Sequence, residues 1–320
     1  MKTPHVSICV PTYCQIEFLR ETLRSVQMQT FSDYELIISD DSPDDSVAEL
    51  VKSFNFDGRM HYHHNLLPLG SPENWNAAVR RASGNYIKIL HHDDKFVHAG
   101  ALGEYVRMLD EHPEADFAFG ATFVETSTSW KNRIHRPTEQ QLAMLATSPE
   151  QLFLGNAIGA PSATIYRNRL GIEYDPRMKW LVDIDLYIRV LQQNKHFVYT
   201  PEILIATVSG ANHQVTKICE NDAKIELTEY MLLFQKIRNK LKNPLSTQQA
   251  WFRLFDKYRI RSQKDLSELG IEYLPIEEDF LQQIFIEYKM NWLRRIPYRV
   301  YIRLPESLKS AINYMRRLCF

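Results

Sequence analysis

Short apolar runs alternate with helical patterns through the first 120 residues, and this alternation restricts the possible folds most strongly. Residues 6–10, 34–38 and 86–90 are rich in β-branched side chains and too short for buried helices, which is typical of core strands. Between the first two runs, Leu19 and Leu23 recur at helical spacing. Strands and helices that alternate in this way build β-α-β units, so we expect an α/β fold with a mostly parallel sheet flanked by helices.

Polar side chains follow three of these predicted strands at the point where each strand ends. Thr12 and Tyr13 follow the first strand, residues 40–41 follow the second, and residues 91–94 follow the third. Each cluster alone is equally typical of a turn after a strand. The carboxyl ends of parallel strands share one edge of a sheet, where ligands bind in open α/β folds. Three clusters at that edge therefore predict a ligand site.

The stretch Y-I-K-I-L-H-H-D-D, residues 86–94, indicates what such a ligand is. Its two carboxylates and two imidazoles suit a divalent cation, or a phosphate-bearing ligand held by one. Neither G-x-G-x-x-G nor G-x-x-x-x-G-K-[ST] follows the first strand, which argues against dinucleotide and P-loop sites. A ligand phosphate would then be neutralised by a metal, a role open to Asp93.

The second part of the chain offers three further expectations. Residues 122–141 have a weak pattern and predict a long surface loop near the site. The small residues of 155–162 allow a ligand to approach the backbone, although a plain turn before a strand explains them equally well. Asp183 lies near the start of a helix, where it is either a general base or a residue that caps the helix and interacts with its dipole.

Composition and charge narrow the class of protein. A hydrophobic content of 44% and a charged content of 24% are typical of globular proteins, and a formal net charge of −1 argues against a general nucleic-acid binder. Residues 291–320 carry seven basic side chains against one acidic one, so this tail is +6 and the remainder is −7. Aromatic residues beside these charges predict contact with an anionic membrane surface. The alternative is a solvated helix that packs on the body or on a partner chain.

Helical patterns replace the alternation after residue 215. We therefore predict two regions, a ligand-binding and catalytic domain at 1–215 and a helical region with a basic amphipathic tail at 216–320. The four cysteines form no C-x-x-C pair, and neither a signal peptide nor an apolar run of about 20 residues is present. These features predict a cytoplasmic protein that associates peripherally with the inner face of the plasma membrane.

An ordered set of motifs resembles the family-2 glycosyltransferases of the GT-A fold. The matching segments are V-S-I-C-V-P-T-Y (6–13), Q-T-F-S-D-Y-E-L-I-I-S-D-D-S (29–42), N-W-N-A-A (74–78), S-G-N-Y-I-K-I-L-H-H-D-D (83–94), G-A-P-S-A (159–163) and D-I-D-L-Y-I-R (183–189). Each motif alone is weak, but together they follow the family's order across about the first 215 residues. The helical remainder carries no such match.

The resemblance implies a GT-A-type, Rossmann-like sheet, a nucleotide-diphosphate-sugar donor, Mn²⁺ or Mg²⁺ as cofactor, and transfer with inversion. It assigns the catalytic base to Asp183 and the metal site to Asp93, with Asp94 and His213 as further candidates. His213 corresponds to a histidine that closes over the diphosphate in some members. The predicted donor-binding residues are Pro11, Thr12, Tyr13, Asp41, Asn74, His91 and His92. Of these, Thr12 and Tyr13 match the loop that sandwiches the base, and Asp41 matches the carboxylate that reads its edge.

Two positions depart from the family's pattern. His91 stands where the first aspartate of the Asp-x-Asp motif is common, so metal affinity would depend on Asp93, the diphosphate and water. Val182 occupies a place that is often acidic. The predicted chemistry needs one general base and a metal acting as a Lewis acid, without a covalent intermediate.

The sequence thus predicts an inverting glycosyltransferase that extends a surface polysaccharide repeat on a lipid carrier. Its expected partners are a UDP-sugar donor, an oligosaccharide on undecaprenyl diphosphate, the membrane surface and a second copy of the chain, but not nucleic acid. One alternative is a non-catalytic protein that binds nucleotide sugars, suggested by His91. Another is a sugar-1-phosphate nucleotidylyltransferase, although the glycine- and arginine-rich loop of that class is absent after the first strand.

Overall fold

The computed structural model describes residues 3–126, 131–211, 214, 219–241, 244–271, 275–294, 304–305 and 307–308, without the side chains of 244–246, 275–277 and 289–294. The chain divides into two compact units, residues 1–241 and 242–320. The first unit carries the sheet. The second is built from helices. A helical C-terminal extension to an α/β body is therefore confirmed.

The first unit alternates strands and helices as the sequence predicts. Its strands are β1 Val6–Thr12, β2 Tyr34–Asp40, β3 Met60–His64, β4 Tyr86–Ile89, β5 Lys95–Phe96, β6 Phe117–Thr126, β7 Arg133–His135, β8 Thr164–Arg167 and β9 Phe197–Ser209. Its helices are α1 Ile16–Gln27, α2 Ser46–Lys52, α3 Glu73–Arg80, α4 Ala101–Asp110, α5 Glu139–Thr147, α6 Val182–Gln193 and α7 Ala223–Ile237. Short 3₁₀ turns at Pro149–Leu154, Pro161–Ala163, Asn168–Leu170 and Arg238–Lys240 connect some of them.

The strands form one sheet in the order β3-β2-β1-β4-β8-β6-β9-β5, and β7 pairs with β6. Strand β1 runs parallel to both of its neighbours, β2 is parallel to β3, and β6 is parallel to β9. Thr12 lies opposite Asp40 in the register of β1 and β2. Strand β8 is antiparallel to both of its neighbours, β4 and β6. The carboxyl ends of β1, β2, β4 and β6 therefore meet at one edge, and the predicted α/β class with a mostly parallel sheet is confirmed.

The centre of the sheet is buried on both faces, which explains its nearly continuous apolar runs. Every residue of β1 and β4 is buried. Packing is closest where the turn after α3 meets β1. A Cβ on Gly84 would lie 2.6 Å from the backbone nitrogen of Ser7, so this contact requires a glycine.

The predicted long loop at 122–141 is wrong. Strand β6 continues to Thr126 because β9 pairs with it along its whole length and β7 pairs with residues 122–124 on its other side. Helix α5 then begins at Glu139 behind a capping box formed by Thr138 and Gln141. Residues 127–130 lie outside the described part of the chain.

The second unit contains helices α8 Pro244–Tyr258, α9 Gln263–Glu268 and α10 Pro275–Arg294. The rings of Phe255 and Phe285 stack with centroids 4.7 Å apart, and Trp251 and Leu281 are buried. Most of the predicted basic tail, 291–320, lies outside the described residues. None of the helices in the described ranges is both long enough and apolar enough to cross a bilayer.

Candidate functional site

A cavity of about 680 Å³ opens at the carboxyl edge of the sheet. Its walls come from the ends of β1 and β4, the β6–β7 hairpin, residues 155–161 and the start of α6. Six of the residues predicted from the sequence line it: Pro11, His91, His92, Asp93, Asp94 and Asp183. The predicted base and the predicted metal-binding loop therefore face the same space.

The remaining described donor-binding candidates form a second cluster beside this cavity. Asp41 is buried and accepts hydrogen bonds at both oxygens, from Asn65 Nδ2 and from the Gly70 backbone nitrogen, each at 2.8 Å. Asn74 Nδ2 donates to the backbone oxygen of Thr12 at 3.2 Å. These bonds fix the loop after β2 against the loop after β3, and they hold α3 to the end of β1. Asn65 belongs to none of the predicted motifs.

Two side chains of this cluster are available to a ligand. Thr12 Oγ1 is buried without a hydrogen-bond partner in the described part of the chain. The Tyr13 side chain is 54% exposed and presents a ring on which a nucleobase can stack. His213, the last predicted residue, lies outside the described residues.

Asp183 is the second residue of α6. Its Oδ1 accepts from the Ile184 backbone nitrogen and its Oδ2 from Asn156 Nδ2, both at 2.8 Å. Burial raises the pKa of Asp183 to about 7, although these hydrogen bonds oppose the shift. Asp183 thus has the helix-start position of a capping residue together with the basicity that suits a general base near neutral pH.

Glu229 on α7 orders the segment that leads into Asp183. Helix α6 lacks a side-chain cap at Leu181. The buried carboxylate of Glu229 instead accepts from the backbone nitrogens of Lys179, Trp180 and Leu181, each at 2.8 Å. Its charge also raises the pKa of Asp183. No local sequence pattern indicates this contact, because the partners are about 50 residues apart.

The two carboxylates of the predicted metal-binding loop differ in their surroundings. Asp93 is partly exposed, and its Oδ2 accepts from Gln214 Nε2 at 3.0 Å. Asp94 is buried and hydrogen-bonded to Ser162 and to the backbone of Val208. Burial, and then the charge of Asp93, raise the pKa of Asp94 well above its usual range. Asp93 is therefore the better placed of the two to meet a cation.

His91 completes this part of the cavity. Its ring packs on Trp75 with centroids 4.4 Å apart, and its backbone nitrogen donates to Ser162 Oγ at 3.0 Å. Burial lowers the pKa of His91 to about 4, so the imidazole is neutral near pH 7. Nε2 is buried and has no partner among the described residues. A neutral imidazole nitrogen in this state can bind a metal or a ligand hydroxyl.

The donor atoms fit a cation that is shared with a ligand. Among the described residues, no three His, Cys, Asp or Glu side chains are grouped as a metal site. Asp93 and His91 supply an oxygen and a nitrogen at the cavity wall. Mg²⁺ in phosphate-binding sites takes one or two carboxylates and completes its shell with phosphate oxygens and water. The residues present are consistent with that arrangement.

Lys88 is a further residue that the motifs did not identify as functional. Its ammonium group is buried in the middle of β4 and lies 4.5 Å from the centroid of Tyr105. It donates to the backbone oxygens of Ser162 and Ile89. Burial lowers the pKa of Lys88 to about 7, against the opposing effect of Asp94. The sequence does contain one signal that could have identified Lys88, namely a lysine between two isoleucines in a strand that is buried on both faces.

Comparison with known proteins agrees with this architecture. The chain is 32% identical over 110 residues to a GalNAc(5)-diNAcBac-PP-undecaprenol β-1,3-glucosyltransferase of Campylobacter jejuni, a match that covers 34% of this chain and 35% of the relative. This chain also matches two other curated relatives, in each case over less than two thirds of the relative's own length.

Two solved structures share the fold. S. aureus TarS 1–349 in complex with UDP-GlcNAc aligns over 98% of this chain and 87% of its own, with a TM-score of 0.56 and 17% identity. The Pyrobaculum calidifontis mannosyltransferase in complex with GDP-Man and Mn²⁺ aligns over 93% and 89%, with a TM-score of 0.52 and 16% identity. The family model described as glycosyl transferase family 2 matches residues 7–170, half of the chain, and the chain therefore belongs to that family.

Proposed function

We propose that this chain is an inverting, metal-dependent glycosyltransferase that moves a sugar from a nucleotide-diphosphate sugar to a hydroxyl group of a lipid-linked oligosaccharide. The observation that carries the proposal is Asp183. Its carboxylate is partly buried, has a pKa of about 7, and lines the same cavity as Asp93. A general base and a site for a phosphate-bound cation are the two parts that such a transfer needs.

In the proposed reaction, Asp183 removes the proton of the acceptor hydroxyl as its oxygen attacks the anomeric carbon. The new C–O bond forms as the bond between that carbon and the diphosphate oxygen breaks on the opposite face. Asn156 holds Oδ2 of Asp183 and leaves the carboxylate in a fixed orientation. A raised pKa makes the carboxylate a stronger base than an exposed aspartate.

The donor would lie across both clusters. Tyr13, Thr12 and Asp41 would hold the base, with Asn74 and Pro11 shaping that side, and a UDP-sugar is favoured because the TarS neighbour is described with UDP-GlcNAc. Asp93 and His91 would hold Mn²⁺ or Mg²⁺, with Asp94, His92 and His213 as further candidates around it. The metal, when bound, stabilises the negative charge that develops on the diphosphate.

The lipid-linked acceptor is inferred from two observations. The Campylobacter relative is named for a substrate carried on PP-undecaprenol. Residues 291–320 have a charge of +6, which suits an anionic membrane surface and a peripheral position on the cytoplasmic face. Since Glu229 contacts the segment before Asp183, the catalytic region in this proposal extends beyond the predicted boundary at 215, through α7.

A donor panel tests the proposal. Hydrolysis of UDP-glucose, UDP-GlcNAc and GDP-mannose is measured with and without Mn²⁺, for the wild type and for Asp183→Asn. We expect metal-dependent turnover that falls by about 100- to 10,000-fold in the variant, as for the loss of a general base. Calorimetry with UDP should give equal affinities for both proteins.

The alternatives give different results in this assay. A non-catalytic protein would bind UDP without turnover of any donor. A nucleotidylyltransferase would form a nucleotide sugar from a sugar 1-phosphate and a nucleoside triphosphate, a class already disfavoured by the family. Turnover that survives Asp183→Asn, or that ignores the metal, would contradict the proposed mechanism.

A further inference from the structure

Two polar side chains on the β6–β7 hairpin present unused hydrogen-bonding atoms to the cavity. Thr122 is 2% exposed, and its Oγ1 has no partner among the described residues. His135 lies directly opposite Thr122 in the antiparallel register, and its Nε2 is likewise buried and unpartnered in the described ranges. Both residues line the cavity that contains Asp183. Buried polar atoms are nearly always paired in native proteins, so this pair requires an explanation.

A backbone hydrogen bond to Ala157 orients the ring of His135. Since Nε2 has no partner among the described residues, we assign this bond to Nδ1–H, which leaves Nε2 as the acceptor. Burial, and then the charge of Arg133, lower the pKa of His135, so the imidazole is neutral near pH 7. Nε2 of a neutral imidazole with Nδ1–H is a hydrogen-bond acceptor. The ligand atom that meets it must therefore be a donor.

Gly159 leaves the space between these atoms open. A Cβ at this position would lie 3.1 Å from His135 Cδ2, 3.6 Å from His135 Nε2 and 3.8 Å from Thr122 Oγ1. Its φ of +108° also disfavours any other residue. Gly159, Thr122 and His135 thus line a small polar recess, which a side chain at position 159 would crowd.

The recess adjoins the proposed base through Asn156. Its Nδ2 donates both to the backbone oxygen of Gly159, at 3.0 Å, and to Asp183 Oδ2, at 2.8 Å. Tyr187 also donates to the Gly159 oxygen, at 3.1 Å. One side chain therefore ties the wall of the recess to the carboxylate.

We propose that Thr122 Oγ1 and His135 Nε2 together bind one hydroxyl group of a sugar, an inference that rests on the proposed function. The sugar hydroxyl donates to Nε2, and its oxygen accepts from the Thr122 hydroxyl. A neutral acceptor paired with a hydroxyl selects an alcohol over a carboxylate, because a carboxylate carries no proton to donate near pH 7. The hydroxyl belongs either to the donor sugar or to the acceptor, and the two sources are separable by experiment.

Thr122→Val tests the recess with little effect on the fold, since the variant keeps the shape of the side chain and Oγ1 has no partner among the described residues. Thr122→Ser restores the hydroxyl, and His135→Phe removes Nε2. Thr147→Val, at an exposed position outside the cavity lining, is the matched control. Two rates are measured in Mn²⁺: hydrolysis of the donor that the panel turns over fastest, and its transfer to octyl glycosides of glucose, galactose and N-acetylglucosamine. Calorimetry with UDP, the donor and the glycosides provides a readout that does not need turnover.

We expect kcat/KM to fall about tenfold in Thr122→Val and in His135→Phe, and to recover in Thr122→Ser, as for one lost hydrogen bond to a ligand. A fall in transfer alone assigns the hydroxyl to the acceptor. If the rate of donor hydrolysis falls as well, and the affinities for the donor and for UDP differ less in the variant than in the wild type, the hydroxyl belongs to the donor sugar.

Unchanged rates and affinities in both Thr122→Val and His135→Phe would overturn the inference and leave the proposed function standing. Full turnover in Asp183→Asn would reject the proposed mechanism. The comparison of Thr122→Val with the wild type would still show whether the recess binds a sugar hydroxyl.

Discussion

The two sides of the site hold their carboxylates in different ways. Asp41, on the side assigned to the nucleobase, accepts one hydrogen bond at each oxygen and joins two loops to each other. Asp183, on the reaction side, is also hydrogen-bonded at both oxygens, but burial raises its pKa to about 7. His91 and Thr122, on that side, carry buried polar atoms with no partner in the described part of the chain.

This difference separates binding from chemistry. The loop that Asp41 holds is preorganised and needs little rearrangement to bind a ligand, although Thr12 Oγ1 beside it also lacks a partner among the described residues. Unpartnered atoms and shifted pKa values on the reaction side are in place for groups that change during the reaction. Substitutions on the nucleobase side should therefore change nucleotide affinity, and substitutions on the reaction side should change turnover.

The pH dependence of turnover is the strongest test of the reaction side. A general base acts only when deprotonated, and a pKa of about 7 for Asp183 means that its deprotonated fraction falls with acidification below that value. We expect kcat/KM to be constant above neutral pH and to fall with unit slope below it, by about 100-fold at pH 5. A wild-type profile that stays flat down to pH 5 would contradict the assignment of Asp183 as the base. The same holds if the residual activity of Asp183→Asn still falls with unit slope below neutral pH.

Asp93→Asn and Asp94→Asn form a matched pair that sharpens the comparison within one loop. Loss of the Asp93 charge should raise the Mn²⁺ concentration for half-maximal activity by about tenfold or more. Asp94→Asn should have a smaller effect, because Asp94 is buried and its side chain is already hydrogen-bonded to Ser162 and to the backbone of Val208. Titration of activity with Mn²⁺ at a fixed donor concentration measures both. A larger effect in Asp94→Asn would reverse the roles given to the two carboxylates.

Tyr13→Ala tests the nucleobase side. Loss of stacking between the exposed ring and a base should weaken UDP binding by about tenfold. Tyr13→Phe keeps the aromatic ring and should therefore keep the stacking. Calorimetry with UDP and Mn²⁺ measures the affinity, and kcat at saturating donor should be unchanged. A fall in kcat at equal affinity would break the separation between the two sides.

Glu229→Gln should have the smallest effect. A neutral amide accepts more weakly from the three backbone nitrogens before α6, so we expect kcat above neutral pH to fall several-fold. Removing the negative charge lowers the pKa of Asp183, and the midpoint of the pH profile should therefore shift to lower pH. Glu226→Gln, on the same helix, is the control and should leave the midpoint in place. A purely structural role for Glu229 would reduce stability without moving the midpoint.

Much of the fold could be predicted from the sequence. Strands β1, β2 and β4 are buried on both faces, so their apolar runs mark them clearly, and the polar residues after them do mark the edge where the site lies. The end of β6 was missed because Thr122, Glu125 and Thr126 are polar. Its strand state depends on pairing with β9, about 80 residues later, which no local pattern reports.

The candidate site was less predictable. Asp183 and Asp93 were identified through family motifs, but the residues that set their environment were not. The hydrogen bond between Asn156 and Asp183 joins residues 27 positions apart in the sequence, and the one between Glu229 and Lys179 joins residues 50 positions apart. The period of a sequence indicates which face of an element is buried, but it does not indicate which distant side chain packs there.

Lys88 has a consequence for how the chain folds. Its ammonium group loses water in the middle of the sheet, and one of its acceptors, the backbone oxygen of Ser162, is 74 residues later. A fragment that ended before residue 162 would bury this group with a strand-neighbour carbonyl alone, at a cost in stability. We therefore expect the first strands to reach their full stability only after the segment that contains Ser162 has docked on the sheet.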